Sequence, residues 1–154
     1  MALYNYDVIY IDDEPTMADI FNQFVNFKYK HWRARSFTNS AELYEKILSN
    51  EVSAAVWIVD MMMPQKNGAE IAAVVSQECP AGTLILGYTA LDPHTLNTRA
   101  EYQPGLRHFS RIVNKQDNFL NLLDLVDVWL RREANSAQPL MRDPWAGDFG
   151  ERVQ

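Results

Sequence analysis

Apolar runs rich in β-branched residues alternate with segments of helical periodicity along most of this chain, and this alternation constrains the fold more than any other feature. The predicted strands are 6–11, 32–37, 54–59, 83–89 and a segment within 107–113. The predicted helices are 16–30, one that begins near Asn39 and Ser40, one after Gly68, 92–102 and 118–132. Strands that alternate with helices indicate a doubly wound α/β domain, with helices on both faces of a parallel sheet.

The run 54–59 is typical of a central strand, because its six residues are all apolar and leave no polar face. The helix over 92–102 rests on a weaker pattern, since Leu96 is its one large aliphatic residue. In the last predicted helix, Leu120, Leu125 and Val128 lie outside the main apolar stripe. Either a wide core contact or a partner surface would explain those three residues.

Composition excludes several classes of protein. The chain has 154 residues and a net charge of −6, which fits one globular domain and disfavours direct binding of nucleic acid. No apolar run approaches the roughly 20 residues needed to span a membrane. Cys79 is the only cysteine, so an intramolecular disulfide is excluded. With no signal-like segment at the N-terminus, we expect a cytoplasmic protein that does not bind membranes.

Polar residues stand where the predicted strands end. Asp12 and Asp13 follow the first strand, Asp60 follows the third, Thr89 ends the fourth and Lys115 follows the fifth. The carboxyl ends of parallel strands share one edge of the sheet, so we expect these five residues to converge there. Any one of the acids alone could be a loop residue or a helix cap. Three close carboxylates repel one another unless a cation intervenes, and oxygen ligands favour Mg²⁺, with Mn²⁺ as an alternative.

Four short tracts, in order along the chain, resemble those of a known family. They are VIYIDDEP at 8–15, VWIVDMMMPQKNG at 56–68, the pair Thr89-Ala90, and Lys115. Asp60, Pro64 and Gly68 have the spacing that the family shows. From about residue 6 to 132 the chain therefore resembles the receiver domain of two-component response regulators, of the chemotaxis-regulator type. The resemblance implies a flavodoxin-like sheet of strand order 2-1-3-4-5, with five strands and five helices.

The resemblance also implies a chemistry for the site. Asp60 is expected to accept a phosphoryl group from a histidine kinase or a histidine phosphotransfer protein, while Lys115 and Thr89 contact that group. The implied metal ligands are Asp12, Asp13, Asp60 and the backbone carbonyl of Met62. Such a domain catalyses only its own phosphorylation and dephosphorylation and is not otherwise an enzyme. Phosphorylation is expected to switch a surface that binds a downstream protein of unknown identity. Formation of a homodimer is a further possibility.

Two positions depart from the family pattern. Gln116 follows Lys115 where the family usually has proline, and Ile112 stands where it tends to have an aromatic partner of the switch hydroxyl. Tyr102 or Phe109 could take that aromatic role. These departures favour an alternative, a receiver-like module that binds proteins without phosphorylation. A phosphatase with an aspartate nucleophile is a third possibility, but it would resemble a pattern with a second Asp at the position of Met62.

Residues beside the site imply a lifetime for the phosphorylated state. Met62 lies two residues after Asp60, and Leu91 lies two residues after the switch residue Thr89, which Ala90 follows. In the family, side chains at these two positions influence the access of hydrolytic water. Two apolar groups offer such water no hydrogen bond, so we expect slow self-dephosphorylation.

The chain is expected to divide into a receiver domain at 1–133 and a C-terminal tail or linker at 134–154. Proline and glycine recur in the tail, and no helical or strand periodicity appears there. The tail also carries several large apolar residues, Leu140, Met141, Trp145 and Phe149. Because exposure of these side chains is costly, we expect the tail to dock on its own domain or on a neighbour.

Overall fold

The computed structural model describes residues 4–134, which form a five-stranded parallel sheet. The strands are β1 (Tyr6–Ile11), β2 (Ala34–Phe37), β3 (Ala54–Val59), β4 (Leu84–Thr89) and β5 (Arg111–Asn114). They lie in the order β2-β1-β3-β4-β5, and every neighbouring pair is parallel. The predicted fold class and strand order are therefore confirmed. Apart from Ala134, the predicted tail lies outside the described residues.

Helices cover both faces of this sheet. They are α1 (Pro15–Lys28), α2 (Ser40–Leu48), α3 (Gly68–Glu78), α4 (Pro93–Thr98), α5 (Gln103–Leu106) and α6 (Phe119–Ala134). Asn39 caps α2 as the sequence predicted, because its side chain accepts a hydrogen bond from the backbone N–H of Glu42 at 3.0 Å. No helix within residues 4–134 combines the length and the apolar character needed to cross a bilayer.

The prediction of one helix over 92–102, and of five helices in total, was wrong. Residues 4–134 contain six helices, because the segment between β4 and β5 forms α4 and then a separate short α5. Arg99 ends α4 with an extended backbone, at φ −85° and ψ 124°. Pro104 lies in the first turn of α5, where its missing N–H costs no helical hydrogen bond. β5 follows α5 and starts at Arg111, which lies within the segment predicted for the last strand.

Two apolar cores lie on opposite faces of the sheet. On one face, Ile9 and Trp57 pack with side chains from α2, α3 and the α4–α5 segment. On the other face, Val8 and Tyr10 pack with side chains of α1 and α6. Leu120 and Leu125 of α6 are partly buried against this second core, whereas 42% of Val128 is exposed. A wide core contact therefore accounts for the first two of the three residues outside the predicted stripe.

Asp127, a buried acid of α6, links this helix by hydrogen bonds to the turn before β2. Asp127 is only 7% exposed and accepts hydrogen bonds from the Trp32 indole at 2.9 Å and the His31 ring at 2.8 Å. The Arg131 guanidinium, one turn further along α6, lies 2.8 Å from the other carboxylate oxygen. Three polar partners therefore satisfy the Asp127 carboxylate, which is largely shielded from water.

Candidate functional site

The carboxyl edge of the sheet gathers the predicted acids into one pocket. Asp12 directly follows β1 and is 0% exposed, and Asp60 directly follows β3 and is 4% exposed. Asp13 is the most exposed of the three acids. One carboxylate oxygen from each of Asp12, Asp13 and Asp60 lies within 4.8 Å of the others. The topology therefore brings together acids that are 48 residues apart in the sequence.

Lys115 supplies the positive charge of this pocket. Its Nζ lies 2.7 Å from Asp12 Oδ2 and 3.7 Å from Asp60 Oδ1. Its backbone N–H donates to the carbonyl of Thr89 at 2.8 Å, which anchors the residue after β5 to the end of β4. Burial acts to lower the pKa of Lys115, but its hydrogen bond to Asp12 and the charge of Asp60 outweigh burial and raise that pKa. The ammonium group is therefore protonated at neutral pH.

Asp60 is the acid whose protonation the pocket changes most clearly. Burial is the largest cause and the negative charge of Asp12 the second, and together they raise the pKa of Asp60 to about 7. The ammonium group of Lys115 and a hydrogen bond from the backbone N–H of Met62 act in the opposite direction, while Asp13 adds to the rise. In the absence of a cation, the Asp60 carboxyl therefore titrates near neutral pH.

The donors of this pocket suit a hard divalent cation. All three acids offer carboxylate oxygens, which Mg²⁺ and Mn²⁺ accept as ligands, and Mg²⁺ usually keeps several waters besides one or two carboxylates. A divalent ion would also remove the repulsion that raises the pKa of Asp60. The residues present therefore fit the metal that the sequence predicted.

The loop that follows Asp60 is held closely against the pocket. At Gly68, the first residue of α3, an added Cβ would lie 2.4 Å from the carbonyl oxygen of Asp60 and 2.7 Å from Met61 Cα. Only glycine fits this approach without displacing the backbone that carries Asp60. The Ser40 hydroxyl donates to the Pro64 carbonyl at 2.7 Å and accepts from the Lys66 N–H at 3.1 Å. These contacts hold the loop at Pro64, Lys66 and Gly68.

The predicted switch residues occupy different environments. Thr89 is 1% exposed, and its hydroxyl accepts a hydrogen bond from the Leu91 N–H at 3.2 Å. Ala90 and Gln116 are exposed, and Leu91 is half-buried. Ile112 is 7% exposed and lies against Gly87 of β4, since a Cβ on that glycine would be 2.9 Å from Ile112 Cγ1.

Aromatic side chains lie in the same core cluster as Ile112. Tyr102 is 3% exposed and Phe109 is 6% exposed, and both belong to that cluster.

Met62 is 53% exposed, while its neighbours Met61 and Met63 are buried. Of these three methionines, Met62 is therefore the one whose side chain is open to solvent.

One residue of the site was missed by the sequence reasoning, which treated Tyr10 only as part of a buried strand. Its hydroxyl donates to Asp12 Oδ2 at 2.8 Å. Side chains two residues apart in a strand point to the same face, so the spacing of Tyr10 and Asp12 was the available signal. Burial is the main cause that raises the pKa of the Tyr10 hydroxyl, and the adjacent Asp12 raises it further. The hydroxyl therefore stays protonated and acts as a donor.

Comparison with known proteins identifies the family. The family model described as response regulator receiver domain matches residues 8–123, which is more than half of the 154 residues. The chain therefore belongs to the response regulator receiver domain family. Receiver domains are signalling domains. No curated protein matches the sequence.

Solved structures share the fold at low sequence identity. The receiver domain of the Francisella response regulator 1452 has a TM-score of 0.61 and 19% identity, over 83% of this chain and 98% of that chain. The BeF3-activated receiver domain of DrrB has a TM-score of 0.63 and 20% identity, over 82% and 98%. The response regulator TrrA from Thermotoga maritima, in complex with Mg²⁺ and BeF, has a TM-score of 0.60 and 20% identity, over 79% and 96%.

Proposed function

We propose that this domain receives a phosphoryl group on Asp60 in a Mg²⁺-dependent reaction and thereby switches a surface that binds another protein. The observation that carries the proposal is the pocket itself: three carboxylates within 4.8 Å and one lysine in contact with two of them. A carboxylate nucleophile, a cation site and a positive charge beside them are the parts that phosphoryl transfer needs.

In the proposed reaction, a carboxylate oxygen of Asp60 attacks the phosphorus atom of a phosphohistidine. The new P–O bond replaces the P–N bond, and the histidine nitrogen keeps the electron pair and takes a proton. Lys115 would contact the phosphoryl oxygens, a role supported by the 3.7 Å distance from its ammonium group to Asp60 Oδ1. Thr89 would donate a hydroxyl hydrogen bond to the same oxygens. Mg²⁺ held by Asp12, Asp13, Asp60 and the Met62 carbonyl would neutralise charge on the transferred group.

The same proposal extends to the partners of this domain and to its boundaries. The donor would be a histidine kinase or a histidine phosphotransfer protein, and the recipient of the signal a downstream protein of unknown identity that this domain contacts directly. The receiver domain would span residues 1–133 and act in the cytoplasm. It would act as a monomer or as a homodimer. The tail at 134–154 would be a linker or a docked segment.

The proposal is tested by exposing the protein to Mg²⁺ with either a small phosphodonor or beryllofluoride. We expect a single acyl phosphate or its beryllofluoride mimic, seen by intact mass and ¹⁹F NMR, and we expect none without Mg²⁺ or in Asp60→Asn. Asp19→Asn, on the exposed face of α1, is the matched control and should react like the wild type. No adduct in the wild type would support the phosphorylation-independent binding module, which Ile112 and Gln116 favour.

The acyl phosphate on Asp60 should hydrolyse slowly. Met62 and half-buried Leu91 provide apolar side chains and no hydrogen bond for an attacking water. We expect the wild type to lose phosphate over minutes or longer in a phosphate-release assay, and Met62→Glu or Met62→Asn to lose it several-fold faster. Loss within seconds in the wild type, or an unchanged rate in both variants, would contradict this role of Met62.

A further inference from the structure

We infer that the Tyr10 hydroxyl is a positioning group for the metal site, acting through Asp12. This inference rests on the proposed Mg²⁺ site and names a residue of this chain that tunes it. Tyr10 donates to Asp12 Oδ2 at 2.8 Å, and both residues are 0% exposed. Water therefore cannot replace either partner of this hydrogen bond without a change in the core.

The tyrosine ring has little freedom to move away from Asp12. It stacks on Phe21 with ring centroids 5.1 Å apart and lies against Phe119 at 5.6 Å. Phe119 in turn stacks on Tyr88 at 4.9 Å. Because these rings belong to α1, α6 and β4, the position of the hydroxyl is set by three elements that pack under the pocket.

Three donors together fix the orientation of the Asp12 carboxylate. Its Oδ2 accepts from both the Tyr10 hydroxyl and the Lys115 ammonium, and its Oδ1 accepts from the Glu14 N–H at 3.0 Å. Lys115 already lies 3.7 Å from Asp60 Oδ1 and can turn toward a phosphoryl group there. The Tyr10 hydroxyl, in contrast, has Asp12 as its one hydrogen-bond partner among residues 4–134. Tyr10 is therefore the side-chain donor that keeps Asp12 oriented when Lys115 moves.

Donors that orient a ligating carboxylate contribute substantially to metal affinity, and their loss typically weakens binding about 10–100-fold. The Tyr10→Phe variant keeps the ring and removes only the hydroxyl. We expect its dissociation constant for Mg²⁺ alone, measured by isothermal titration calorimetry, to rise about tenfold over that of the wild type. Its circular dichroism spectrum should stay that of the wild type.

Tyr88→Phe is the matched control, because it removes a hydroxyl from the same aromatic cluster. That hydroxyl donates to the backbone carbonyl of Asp117 at 3.3 Å and not to a carboxylate of the pocket. We expect its Mg²⁺ affinity to stay within about twofold of the wild type. Equal losses in the two variants, or no loss in Tyr10→Phe, would overturn the inference.

A measurement on the wild type covers the case in which Tyr10→Phe does not fold. The Tyr10 hydroxyl proton should be protected from exchange and visible by NMR, and its resonance should shift as Mg²⁺ is added. A hydroxyl proton that exchanges freely, or that does not respond to Mg²⁺, would also overturn the inference. These results are separable from the proposed function, since Mg²⁺ affinity is measured without any phosphodonor and Asp60 phosphorylation is measured without any change at Tyr10.

Discussion

Asp60→Asn should make the metal-free protein more stable at pH 8, by about 1–3 kcal/mol in the free energy of unfolding. The pocket raises the pKa of Asp60 to about 7, mainly through burial and the charge of Asp12. A carboxyl whose pKa is higher in the folded state than in the unfolded state destabilises the folded protein as the pH rises. The cost grows from about pH 4 to about pH 7 and is complete above pH 7, and asparagine removes it.

The stability difference between Asp60→Asn and the wild type should therefore shrink steadily as the pH falls from 7 to 4 in urea unfolding experiments. Mg²⁺ should stabilise the wild type more at pH 8 than at pH 5, because protons compete with the cation for Asp60. Asp19→Asn removes the same charge from the exposed face of α1 and should match the wild type in both measurements. If Asp60→Asn were less stable than the wild type at pH 8, the destabilising effect that we assign to the buried Asp60 charge would be contradicted.

Gly105→Ala should destabilise the protein by about 2–3 kcal/mol. Gly105 of α5 packs against α3 so closely that an added Cβ would lie 2.4 Å from the Ala69 carbonyl oxygen and 2.6 Å from Ala69 Cβ. The first of these contacts is with backbone, so no side-chain rotation relieves it. Either α5 separates from α3 or the two helices shift together, and both outcomes disturb a close-packed core.

The change is measured as the shift of the urea midpoint at constant slope. Pro104→Ala is the control, because Pro104 is an exposed residue of the same helix and its replacement should cost less than about 1 kcal/mol. If Gly105→Ala proved no more destabilising than Pro104→Ala, the close contact between α5 and α3 would not be a determinant of stability.

The strands and the acids at their ends could be predicted because each depends on local patterns, whereas the strand order was implied by the resemblance to receiver domains. β3 is recognisable from six apolar residues in a row, and Asp60 follows it directly. The edge on which Asp12 and Asp60 meet follows from the rule that parallel strands align their carboxyl ends. No knowledge of side-chain packing was needed for either step.

The features that escaped prediction depend on contacts between distant parts of the chain. Asp127 is buried because Trp32, 95 residues away in the sequence, donates to it. The split into α4 and α5 goes with the docking of Gly105 onto Ala69, which no periodicity in 92–102 reveals. From the sequence alone Tyr10 is a core residue of the first strand, and its hydrogen bond to Asp12 is evident only in the folded structure. Such contacts override local propensity wherever tertiary packing decides the outcome.

The split between α4 and α5 gives the two halves of this segment different local stabilities. α4 has six residues, and Leu96 is the buried one among them, so unravelling this helix exposes little apolar surface and breaks few hydrogen-bonded turns. α5 has both Gly105 and Leu106 buried and is pressed against α3. Local opening of the segment therefore starts at α4, immediately after Thr89 and Leu91, and stops at α5. The helix that follows the switch residue Thr89 is thus expected to open before the sheet and its core do.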